Sequence, residues 1–253
     1  MIKYSPAAYT LVLRPAELAD LDARQVMANC LALGAEAVVC DAAVVLDAGG
    51  CCALYPSTIP GLALDPALGG RDLLGELIRQ ARAHGLAAIV RLELGLVDEA
   101  LAQTHPSWLQ RDSGGQPVRR GADYLACALS ADWEKDWAQP RVREVLARYA
   151  PEGLLLAGVI PVEGCTCPAC VAAYGAAITH GAVPQPEDSA EDRRAYRHKR
   201  REIALQPVAR LRAEARAVAP GVSLLVAVED PAALVGVEEP VCDQWVVSGA
   251  CGL

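Results

Sequence analysis

Short apolar runs alternate along the chain with longer stretches of helical period. Six runs stand out: Tyr9–Arg14, Glu36–Ala42, Leu86–Leu94, Gly153–Ile160, Val222–Val228 and Cys242–Ser248. Each is nearly unbroken in apolar residues, as a strand covered on both faces must be. Strands of that kind separated by helices are the pattern of βα units around a parallel sheet.

The helical stretches run over Ala16–Gly34, Gly70–Gly85, Ser130–Ala150 and Ser189–Gly221. Three of them end on Gly or Pro-Gly, which stops a helix because glycine accepts the left-handed backbone of the last turn. Pro207 lies inside the fourth stretch, where a missing N–H and a ring clash predict a kink or a split.

Two connections, Leu46 to Gly69 and Gly95 to Ser130, are longer than a βα loop requires, and both follow a predicted strand. In a βα barrel that is the face on which function is built. The expected fold is therefore α/β and TIM-barrel-like, with about six βα units, two short of a closed barrel of eight strands. No repeat or linker divides the sequence, so residues 1–253 read as one domain, a barrel truncated at the C-terminus unless the sheet is open or a strand is miscounted, with a homo-oligomer or a missing C-terminal segment as the candidate partners.

Composition narrows this picture. With 253 residues, 53% of them apolar, the chain can bury a large core. Its net charge of −8 and its scattered bases argue against nucleic acid as a partner. The one basic run, Glu191–Glu202, reads as a solvated helix face. No apolar run approaches the roughly 20 residues that span a bilayer, and the N-terminus lacks the pattern of a signal peptide, so the expectation is a cytoplasmic protein without membrane contact.

Ten cysteines in a reducing compartment do not suggest a disulfide framework. Cys30, Cys40 and Cys242 lie in apolar surroundings, where a thiol serves as a small hydrophobe. Cys165, Cys167 and Cys170 do not fit that reading, because they crowd into the polar loop after the fourth predicted strand. Zinc takes four soft ligands in a tetrahedron, so three thiolates leave one vertex to fill. Cys127, in the long loop after the third strand, can reach this loop if the two are neighbours at one end of a barrel; His180 is the rival fourth ligand. Plain reduced thiols and a redox pair at Cys167 and Cys170 are the other readings of the loop.

Two features together, "HPSWLQRDSGGQPV" with a cysteine after it and "CTCPAC" leading into a helix, resemble the TIM-barrel domain of family 42 β-galactosidases and related glycosyl-hydrolase-like proteins akin to α-L-fucosidases. Leu54–Leu86 resembles the latter group more closely, and the likeness runs from about Gly34 to Val228. It implies a carbohydrate partner, glycoside hydrolysis as the ancestral chemistry, and a structural zinc on Cys127, Cys165, Cys167 and Cys170.

The resemblance also calls for a carboxylate at the end of the fourth strand, where this chain has Leu156 and Ala157. The remaining catalytic candidates are Glu93, Glu163 and Glu229, and the candidates for substrate binding are Asp41, Tyr55, Arg91 and Trp108. Glu93 and Arg91 share one side of their strand by its period of two. Impaired catalysis is therefore expected, the alternatives being a non-catalytic carbohydrate-binding or regulatory domain and a thiol redox protein or zinc-dependent hydrolase.

Overall fold

The computed structural model describes residues 8–10, 20–46, 49–160, 164–175, 189–228 and 242–247. Strands and helices follow one another as β1 (Ala8–Thr10), α1 (Ala23–Ala32), β2 (Ala37–Asp41), β3 (Ala43–Val45), β4 (Cys51–Ala53), α2 (Leu73–Ala83), β5 (Ala87–Glu93), β6 (Leu96–Val97), α3 (Glu99–Thr104), β7 (Arg119–Arg120), β8 (Asp123–Leu125), α4 (Ala131–Trp133), α5 (Gln139–Tyr149), β9 (Gly153–Ala157), α6 (Pro168–Tyr174), α7 (Ala190–Ala204), α8 (Gln206–Val218), β10 (Ser223–Val228) and β11 (Gln244–Val247). A π turn over Glu134–Ala138 joins α4 to α5.

Six strands form one sheet in the order β1-β2-β5-β9-β10-β11, and every pairing is parallel. Each falls within, or within one residue of, one of the six apolar runs. The order is that of the chain, so each crossover adds its strand to the same growing edge, as in a barrel wall. Among the described residues no pairing joins β1 to β11.

Alternation along the strands sorts the side chains onto two faces. Val38, Cys40, Ala88, Val90, Leu92, Leu154, Leu156, Leu224 and Val226 belong to the main core, together with Leu74, Leu77, Ile78, Val142 and Val145 of the helices. Ala37, Val39, Ile89, Leu155 and Leu225 form a separate apolar cluster on the other face. A continuous apolar run is what such double burial demands. Cys30, Cys40 and Cys242 lie buried in the main core, as their surroundings in the sequence suggested.

The predicted split near Pro207 is present: α7 ends at Ala204, and Pro207 occupies the first turn of α8, where its missing N–H costs nothing. Two small antiparallel sheets were not anticipated. β3 and β4 make a hairpin following β2 in the chain, and β6-β8-β7 make a second sheet inside the long connection after β5. Their strands are two or three residues long, too short for a period of two to register.

The ends of β5 and β9 touch through backbone. A Cβ placed on Gly158 would lie 2.4 Å from the Gly95 nitrogen and 2.6 Å from Glu93 Oε1, and Gly158 has φ of +69°. Only glycine fits there. Gly158→Ala should cost at least about 2–4 kcal/mol in urea unfolding, because strain and a backbone clash add. Gly70→Ala, at φ of +95° with no described atom within 4 Å of the new methyl, should cost only about 1 kcal/mol. Equal losses would show that the Gly95–Gly158 contact does not constrain the strand ends.

Candidate functional site

Asp41, Arg91 and Glu93 stand at the C-terminal ends of β2 and β5. By alternation they share the face of Val39 and Ile89, opposite the helices. Arg91 lies between the two carboxylates, with Nη1 3.7 Å from Asp41 Oδ1 and Nη2 3.4 Å from Glu93 Oε2. These are long contacts, and the arginine is the most open of the three, with 36% of its side chain exposed against 20% for Asp41 and 15% for Glu93. A polar rim over an apolar floor can grip a polyhydroxylated ligand by hydrogen bonds at its edges.

Burial dominates the electrostatics of this rim. It pushes Asp41 up to about 6; Arg91 opposes the rise and Glu93 adds to it. Burial likewise raises Glu93, opposed by Arg91, the Gly95 N–H and Arg141. Glu93 Oε1 accepts the Gly95 N–H at 3.1 Å. Carboxyls raised in this way hold their protons to higher pH than free ones do, which suits proton-transfer chemistry as well as ligand binding.

Across the ladder, Glu93 pairs with Ala157 and Arg91 with Leu155. Leu156 turns into the main core, so Ala157 occupies the position at the end of β9 that shares a face with Glu93. Tyr55 and Trp108 are elsewhere. Tyr55 is fully buried in the main core and donates its hydroxyl to Glu144 at 2.9 Å; Trp108 is 2% exposed and stacked on His105 at 3.9 Å. As they stand, neither ring offers the open platform that an aromatic rim needs. Glu163, Glu229 and His180 lie outside the described residues.

Sequence reasoning missed Arg141, fully buried beneath this site with Nη1 donating to the Glu93 carbonyl at 2.7 Å. The spacing Trp133, Trp137, Arg141, each four residues from the last, was the available signal: an arginine in register with two tryptophans on the apolar face of a helix.

Four cysteines converge near the same strand ends. The sulfurs of Cys127, Cys165, Cys167 and Cys170 all lie within 4.8 Å of one another, and all four residues are buried. Cys127 Sγ is 3.5 Å from Cys170 Sγ. Around one zinc ion with Zn–S of about 2.3 Å, sulfurs at tetrahedral corners stand about 3.8 Å apart, so this set fits a metal. Cys127 follows β8, its N–H bonded to the Trp108 carbonyl, and Cys167 caps α6 with Pro168 in the first turn and Cys170 just behind. Backbone N–H groups of Arg111 and Cys170 donate to the sulfurs of Cys165 and Cys167, each at 3.5 Å. The hydrogen bond from Cys127 holds Cys165 and Cys167 below the ordinary thiol range, while Cys127 and Cys170 are pushed above it by the thiols they bond. The cluster is closed by Tyr174, Tyr196 and Ile203, the two tyrosine rings stacked at 4.9 Å.

The sequence of residues 22–157, from the cap of α1 to the end of β9, matches the family described as hypothetical glycosyl hydrolase 6. No curated protein matches the chain. Among solved structures, an α-L-fucosidase isoenzyme 2 from Paenibacillus thiaminolyticus is similar with a TM-score of 0.64 and 21% identity over 89% of this chain and 32% of its own. A β-galactosidase from the Antarctic haloarchaeon Halorubrum lacusprofundi gives 0.60 and 16% over 87% of this chain and 36% of its own. One from the psychrophilic Marinomonas ef1 gives 0.58 and 13% over 87% and 37%. The chain spans about a third of the length of these proteins, and at such identities the likeness establishes the TIM-barrel type of fold alone. The sequence match, in contrast, covers more than half of the chain and every strand from β2 to β9, and on it the chain belongs to the hypothetical glycosyl hydrolase 6 family as a glycoside-hydrolase-like TIM-barrel domain.

Proposed function

We propose that this domain binds a galactoside or fucoside at the strand ends through Asp41, Arg91 and Glu93, and that its hydrolytic activity is weak. One observation carries the second half of the reading: Ala157 is the residue in register with Glu93 at the end of β9, where the resemblance calls for a carboxylate. Retaining hydrolysis needs two carboxyl groups about 5–5.5 Å apart on either side of one bond, and loss of general acid–base help costs roughly 10²–10⁴ in rate. Glu163 and Glu229 remain candidates for the second carboxyl group. A non-catalytic carbohydrate-binding domain is the nearest alternative, favoured by the arginine set between Asp41 and Glu93.

The cysteine set is proposed as a structural zinc site. Four buried thiolates leave no vertex for water, so the ion would supply no reaction chemistry, only a tie between the loop after β8 and the loop leading into α6. This closure also counts against a zinc-dependent hydrolase.

Three outcomes follow from this reading. Purified protein should hold one zinc per chain by elemental analysis, and Cys127→Ser should reduce that occupancy and lower Tm by roughly 10 °C, about 3 kcal/mol at 2–4 °C for each; full occupancy in the serine variant would remove Cys127 from the ligand set. Aryl β-galactoside and aryl α-fucoside should be turned over barely or not at all while the free sugars bind measurably, and Gln at Glu93 should weaken that binding. Robust turnover abolished by Gln at Glu93, Glu163 or Glu229 would instead identify a working acid.

The third outcome concerns pH. The folded chain holds the Asp41 proton more tightly than the unfolded chain does, so this residue makes stability fall as pH rises from roughly 4 to 6, and the loss persists at neutral pH. Asp41→Asn should therefore raise unfolding free energy at pH 7 by about 1–3 kcal/mol, flatten its slope over that window and weaken sugar binding, the signature of a site residue kept at the expense of stability. Urea unfolding across pH measures it; an unchanged slope would place the burial of Asp41 in doubt.

A further inference from the structure

The end of β5 is gripped by its carbonyl groups. Arg141 Nη1 donates to the Glu93 carbonyl at 2.7 Å, Trp133 Nε1 to the Leu94 carbonyl at 3.1 Å, and the Ala126 N–H to the Gly95 carbonyl at 2.8 Å. Two of these donors come from one helical stretch, eight residues apart. In a regular helix of 3.6 residues per turn that spacing drifts by about 80° around the axis. The π turn over Glu134–Ala138, closed by the Gln139 N–H on the Glu134 carbonyl, takes in an extra residue and brings Trp133 and Arg141 back to one side. Glu134 fixes this turn, accepting from Gln139 at 2.9 Å and pairing with Arg210 at 2.5 Å.

Arg141 is an expensive way to satisfy a carbonyl. It is 0% exposed, its guanidinium lies 4.7 Å from the centre of the Trp137 ring, and its Nε and Nη2 have no hydrogen-bond partner among the described residues. A neutral donor would serve the carbonyl without the cost of burying a charge. What a cation adds is fixed positive charge beneath Glu93, where it acts with Arg91 and Arg120 against the burial that raises this carboxyl.

We infer that Arg141 is a positioning residue for Glu93: through the π turn it locks the backbone that carries this carboxylate and sets a buried charge beside it. The inference rests on the proposal that Glu93 meets the substrate. Its test needs no sugar, so it can fail or succeed independently of carbohydrate binding. The carboxyl ¹³C resonances of the full chain are titrated with pH, that of Glu93 being identified by its loss in Glu93→Gln. Arg141→Gln keeps a donor for the carbonyl and removes the charge; Arg141→Met removes both and serves as the second neutral variant. Either should raise the Glu93 midpoint by about one pH unit, while Arg141→Lys should keep it within a few tenths of the parent. Trp133→Phe, which loosens the same strand end without touching charge, should speed Leu94 amide exchange and leave the midpoint in place. A folded neutral variant with the parent midpoint, or a lysine variant shifted as far as the glutamine one, would overturn the inference.

Discussion

The register between β5 and β9 governs what this protein presents to a ligand. A parallel strand shows alternate residues to its two faces, so a slip of one residue would send Arg91 and Glu93 into the main core and bring Leu92 and Leu94 to the other face. The pairing of Glu93 with Ala157 fixes the register, and Gly95 meets Gly158 in close backbone contact just beyond the ladder, where Gly158 takes a left-handed backbone. Hydrophobic burial favours the same register, since Val90, Leu92, Leu154 and Leu156 fill the helix side while Ile89 and Leu155 fill the other. The three charged side chains are thus presented together because the apolar ones below them are satisfied.

A second layer of organisation lies just beyond the strand ends. The loop that carries Arg111 bonds to Cys165 and Thr166, and Cys127 is fastened to Trp108, so the connections after β5 and β9 meet at the thiol cluster. Tyr174 and Tyr196 extend that cluster onto α6 and α7. A small core built on sulfur and two aromatic rings has little area to bury, which is why a metal tie suits it. The same loops rise from the strand ends that carry Arg91 and Glu93, so order in one region bears on the other.

The long-range architecture could be read from the sequence because its signal is long. Double burial makes each strand of the parallel sheet an unbroken apolar run, and the position of Pro207 foretold the break between α7 and α8. The convergence of Cys127 with the C-x-C-x-x-C loop was also foreseen, from loop adjacency and from resemblance together. The small hairpins escaped, since two or three residues carry no period, although Gly49-Gly50 after Asp47 is a turn signal that could have revealed the first of them. Tyr55 and Trp108 were candidates for substrate binding; both loops instead fold back onto the helices and bury these rings in the main core. Arg141 was hidden for the opposite reason: a charged residue in a helix reads as surface until tertiary packing buries it.

The central claim is one of place, that carbohydrate meets this barrel at the ends of β2 and β5. Amide chemical-shift mapping during a titration with galactose and with fucose tests it directly. The account predicts saturable shifts gathered at Asp41–Ala42, Glu93–Gly95 and Ala157–Gly158, with the amides around Cys165–Cys170 little changed. Saturable shifts centred on the cysteine loop, or none at the strand ends at any sugar concentration, would contradict it.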